Sequence, residues 1–160
     1  MSITVMPQNN STSRLFLITT TCAVVAFCIP VLCLFKYAFF ANLWLLYVGN
    51  GLFGSVMFIS VIYYNKQKDE NADLANMISL NLKILAVSVV AICVVLTLLL
   101  LVFHHDVLQR APADEVKDKT NGLDLILYID AIIVNFLIGS FAVVMASVTA
   151  KRRQERAESN

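Results

Sequence analysis

The sequence predicts an all-α integral membrane protein in which four transmembrane helices form an antiparallel bundle, with a faint internal repeat relating two helical hairpins. Three observations carry this. Of 160 residues, 59% are hydrophobic and 14% charged, against roughly 45–50% and ~25% in soluble domains. The mean hydropathy is +0.76. The charges are segregated into short polar stretches between four apolar blocks, at about 15–35, 43–64, 82–103 and 123–150, each long enough to supply the ~20 helical residues that cross a hydrocarbon core. Residues 15–150 are thus the membrane domain, flanked by a polar tail at 1–14 and a basic tail at 151–160.

The first span follows "MSITVMPQNNSTSR" and holds Pro30, which predicts a kink because proline removes a backbone donor and crowds the preceding turn. The apolar run lacks the small-residue cleavage pattern of a signal peptide, so it reads as a retained span. "KYAFFAN" is a tight aromatic turn suited to headgroup depth. In "NKQKDENADLANMISLNLK", Leu74, Met77, Ile78 and Leu82 recur at helical spacing and extend the third helix beyond the membrane. The segment at 104–122 is the one connection with room for a small structured element, and Asn121-Gly122 closes it as a turn. "LLYVGN" at 45–50 and "ILYIDA" at 126–131 carry the repeat.

Basic residues are retained on the cytoplasmic side. With four spans, one side holds Arg14, Lys66, Lys68, Lys83, Lys151, Arg152, Arg153 and Arg156, and the other holds Lys36, Arg110, Lys117 and Lys119. Both termini are therefore expected in the cytoplasm, with the protein in a plasma or inner membrane. A net charge of +1 without a clustered basic face gives no nucleic-acid surface.

"LYVGNGLFGS" contains Gly49-x-Gly51-x-x-Gly54, the spacing of a dinucleotide fingerprint. Such a fingerprint must follow a buried strand and open a helix; these glycines lie inside an apolar span, so the nucleotide reading fails. Small residues instead let membrane helices approach closely. Gly51 and Ser55 form one small-xxx-small row, Asn50 and Gly54 the adjacent one, and the whole stretch 49–55 reads as a helix-packing face. Its counterpart is a stripe on the fourth span: Ala131, Asn135, Gly139, Ala142, Ala146 and Ala150. Counting ~1.5 Å per residue from the outer interface puts Asn50 and Asp130 both ~10 Å deep, and Gly54 and Asn135 both ~17–18 Å deep. At these levels a hydrogen bond between Asn50 and Asp130, or Asn135 lodged against the Gly54 backbone, would satisfy groups otherwise stranded in hydrocarbon.

Asp130 is the acidic residue well inside a span, where an aspartate costs roughly 2.5–3.5 kcal/mol on insertion scales. With Asn50 it is the candidate ion or proton site; the structural alternative is a carboxylate held by Asn50 as interhelical glue. His104 and His105 are weak candidates for a metal or haem, since adjacent helical residues point ~100° apart and cannot share an ion as an i, i+4 pair does. Cys22, Cys28, Cys33 and Cys93 all fall inside apolar blocks and read as small packing residues. No cofactor is expected. The residues form no Ser-His-Asp set or zinc-protease helix, so the chain reads as a non-enzyme.

The leading expectation is a non-catalytic membrane subunit or scaffold that meets the lipid bilayer and packs against other membrane subunits or copies of itself. The alternatives are a small oligomeric ion-coupled transporter or channel, with Asp130 titrating and Asn50, Asn135 and Ser140 lining the path, and a haem- or quinone-associated electron-transfer subunit using His104 or His105.

Overall fold

In the computed structural model the described residues are 9–36, 43–68, 72–110 and 125–159. They form four long helices. α1 is Asn9–Lys36, α2 Trp44–Gln67 and α3 Leu74–Arg110. α4 starts at Leu125, passes through a π turn at Asp130–Val134 and continues as Asn135–Glu158. All four are long and apolar enough to cross a membrane.

The helices outrun their apolar blocks. α1 begins within the polar tail and runs through Pro30 as one helix. α3 begins at Leu74, where the Leu74–Leu82 periodicity places it, and the Met77 amide is caught by the Asp73 carbonyl at 3.0 Å. α4 carries on through the basic cluster, so "KRRQER" is helical.

α1 packs on α2 and α3, α4 packs on α2 and α3, and α2 touches α3 across the middle. The distribution of side chains is inverted relative to a soluble domain. Leu17, Val94, Leu101, Leu137 and Phe141 stand outward, 58–74% exposed, while Asn50, Asn81, Ser88, Asn135 and Ser147 are buried to 1% exposure or less. Large buried side chains, among them Phe27, Phe53, Met57, Met77, Leu85 and Ile92, fill the space between the helices. In water, contiguous apolar surface on this scale marks a face meant for another apolar phase. Near one end, the Phe35 and Phe103 rings stack with centroids 5.8 Å apart and join α1 to α3.

Candidate functional site

The polar residues buried between the helices form three separate contacts, and each joins elements distant in sequence. In the first, Asn50 Nδ2 on α2 donates to Asp130 Oδ1 on α4 at 2.8 Å. Asp130 opens the π turn. Five residues on a regular α-helix separate side chains by about 140°, which would turn either Asp130 or Asn135 outward. The π turn absorbs the extra residue, and both are buried. π turns concentrate where a helix must re-aim side chains, frequently at functional sites. Asn135 Nδ2 reaches back to the Ala131 carbonyl at 3.4 Å. Asn50 Oδ1, Asp130 Oδ2 and Asn135 Oδ1 have no hydrogen-bond partner among the described residues, and the half-buried Ser140 hydroxyl also lacks one.

The second contact joins three helices. Ser60 Oγ on α2 donates to Asn81 Oδ1 on α3 at 2.8 Å, and Asn81 Nδ2 donates to the Met77 carbonyl at 2.9 Å. Since the one Ser60 proton is committed to Asn81, Thr19 on α1 must donate in its 3.3 Å contact with Ser60. In the third, Gln154 Nε2 on α4 donates to Asn65 Oδ1 on α2 at 2.7 Å and approaches the Ala72 carbonyl at 3.4 Å. Each contact supplies partners for groups that are costly to strand in an apolar medium.

The glycines sort by the neighbour each one admits. A Cβ on Gly54 would stand 2.7 Å from Ile138 Cγ2 of α4. One on Gly139 would collide with Leu85 Cδ1 of α3 and stand 3.0 Å from Phe53 Cε1 of α2. One on Gly49 would lie 3.4 Å from the Phe27 carbonyl and ring and 3.6 Å from Pro30, so α2 closes against α1 at the proline. Gly51 is different: nothing lies within 4 Å of its Cβ position. Gly51 and Ser55 are exposed, with Ser55 Oγ turned onto the Gly51 carbonyl at 2.8 Å.

No family model, curated protein or solved structure matches this chain.

Two expectations are therefore corrected. Gly51 and Ser55 do not belong to the internal packing face. Asn50 and Gly54 take that face, and the row one residue on is turned about 100° from it, outward. Asn135 does not sit against Gly54 either; Ile138 fills that hollow, and Asn135 bonds within its own helix. Along α4, Ala131, Gly139, Ala146 and Ala150 are buried as the stripe requires, while Ala142 is half-buried. Sequence reasoning missed Val143 and Ser147, both fully buried, and Gln154, which continues the Ala146–Ala150 four-residue step into the basic segment.

The side chains of His104 and His105 lie outside the described residues. Among the described residues no group of three or more His, Cys, Asp and Glu is placed to hold a metal, and all four cysteines are free.

Proposed function

We propose that this chain is a non-catalytic membrane subunit: four helices crossing the bilayer alternately, both termini on the cytoplasmic side, with the outward face of α2 docked against a helix of a partner membrane protein. The observation that carries the reading is the Gly51–Ser55 row. A small-xxx-small row lets two helix backbones approach closely in lipid, where association rests on packing and interhelical hydrogen bonds rather than on a hydrophobic drive. The chain's own helices use Gly49, Gly54 and Gly139 in that way and leave Gly51 open. The Ser55 hydroxyl is already satisfied, so the row offers a flat, polar-quenched surface beside the exposed Tyr47, Val48 and Leu52. The alternating path is supported by contact pairs that descend along α2 as they climb α1, Thr19 with Ser60 and Phe27 with Gly49.

A photo-crosslinking residue at Ser55, activated in the native membrane, is expected to give a discrete protein adduct of defined mass. The same residue at Phe141, outward on α4 and 68% exposed, is the control and should react with lipid. Lipid adducts alone at both positions would refute the docking surface.

The Asn50–Asp130 pair favours a second reading, ion-coupled transport. It leaves a carboxylate oxygen and an amide oxygen unpartnered between α2 and α4, and an intramembrane carboxylate is a functional candidate by default. Under this reading Asp130→Asn abolishes ion-coupled uptake while insertion is kept; unchanged uptake rejects it.

A further inference from the structure

We propose that the groove between the N-terminal half of α1 and the C-terminal half of α2 seats one anionic phospholipid, with its phosphate on Arg14 and an acyl chain running toward the middle of the bilayer. The inference rests on the membrane reading above but is independent of the partner surface and of Asp130.

The groove has a volume of about 880 Å³, within the roughly 300–1,000 Å³ of small-molecule sites. Its polarity is graded along the helix axes. Arg14 and Gln67 stand at one end, and Arg14 is the single charged residue among the described lining residues. Tyr63 follows on the wall. Ile18, Ile59 and Val56 then line the remainder as far as Cys22. From Arg14 to Cys22 is eight residues, about 12 Å of helix rise. That is one charged contact followed by an apolar trough aligned with the helices, which is how a lipid stands beside a membrane protein.

The floor favours a chain over a polar ligand. Thr19 and Ser60 line the groove, yet their protons are committed: Thr19 donates to Ser60, Ser60 to Asn81, and Asn81 onward to the Met77 carbonyl. A hydrocarbon chain can pass over this floor without stranding a donor. The charge favours an anionic headgroup over a zwitterionic one. Lys66 and Lys68 adjoin Gln67 in sequence but are balanced by Asp69 and Glu70, so the preference rests on Arg14. With the termini in the cytoplasm this end also meets the leaflet that carries anionic lipid.

The test uses the full chain reconstituted into phosphatidylcholine vesicles containing phosphatidylglycerol. Flotation on a density gradient is read first: a chain that does not float overturns the membrane reading. Floated protein is then extracted gently, and retained lipid is identified by native mass spectrometry. One phosphatidylglycerol per chain is expected, enriched over its share of the vesicle. Arg14→Gln should reduce that enrichment roughly fivefold, since one basic residue at the surface contributes about 1 kcal/mol to anionic lipid binding, and Arg14→Lys should retain most of it. Ile59→Trp and Val56→Phe, which fill the trough from its walls, should expel phosphatidylcholine and phosphatidylglycerol alike. Retention without headgroup preference, or an unchanged Arg14→Gln, overturns the proposal. So does displacement by inorganic phosphate, which would make Arg14 a plain anion contact.

Discussion

Gly139 and Gly51 look alike in sequence, each a glycine in an apolar helix, and the fold assigns them different consequences when a single methyl is added. A Cβ at Gly139 meets Leu85 and Phe53, which are both fully buried. Leu85 Cδ1 is the end of a flexible side chain, but Leu85 and Phe53 are both 0% exposed, so Gly139→Ala is expected to overpack the interface of three helices. Overpacking costs typically about 1–3 kcal/mol. At Gly51 the added methyl enters open space. Both substitutions also gain the helix preference of alanine over glycine, roughly 0.8–1.0 kcal/mol. That gain is common to the two sites and cancels in their difference. The expected contrast is therefore the overpacking cost alone, about 1–3 kcal/mol, or roughly 5- to 150-fold in the unfolding equilibrium. Gly51→Ala should be neutral or stabilising, and Gly139→Ala, net of the helix gain, should fall between neutral and about 2 kcal/mol destabilising. The assay is reversible unfolding in mixed micelles, titrated with denaturing detergent and followed by helix content. Equal shifts of the same sign would refute the assignment of one glycine to the interior and the other to the surface.

Three further outcomes follow from the same contacts. Gly54→Leu drives a branched side chain into Ile138, whose β-branching leaves it one favoured helical rotamer; it should destabilise the bundle more than Leu52→Ala, which trims an exposed side chain, in the same titration. Asp130→Leu strands the Asn50 amide and should cost about 1–3 kcal/mol, whereas Asp130→Asn preserves shape and a partner and should cost less. A double-mutant cycle of Gln154→Ala with Asn65→Ala should show a coupling on the order of 0.6 kcal/mol, up to ~1.7, typical of interhelical hydrogen bonds in membranes; strict additivity would mean that the 2.7 Å bond contributes nothing.

How much of this was legible beforehand depends on where the helical count stays regular. The four apolar blocks locate four helices because each is a long uninterrupted apolar run. Counting depth along straight helices brings Asn50 level with Asp130, since Asn50 lies in a regular helix and Asp130 is the first residue of the π turn, before its offset has accumulated. The same count fails for Asn135 and Gly54, because the π turn at 130–134 inserts a residue between Asp130 and everything beyond it. Nothing local in "DAIIV" announces that turn. Its trace is the pair itself, two polar residues five apart that both need to be inside. The two rows of small residues on α2 are equally small and only about 100° apart, so composition does not decide which faces inward; the neighbours Ile138, Phe27 and Pro30 do. Gln154 was hidden by its setting, since it is buried among charges that point away from the core.

On the reading proposed above, the outward row of α2 holds a partner. The measurement that tests it most directly is the mass and composition of the native particle, extracted gently from its own membrane for the wild-type chain and for Gly51→Leu. A particle containing a stoichiometric membrane partner is expected, with that partner lost in Gly51→Leu while the variant chain keeps its helix content and unfolding midpoint. A particle of this chain alone, or one unchanged by Gly51→Leu, would contradict it.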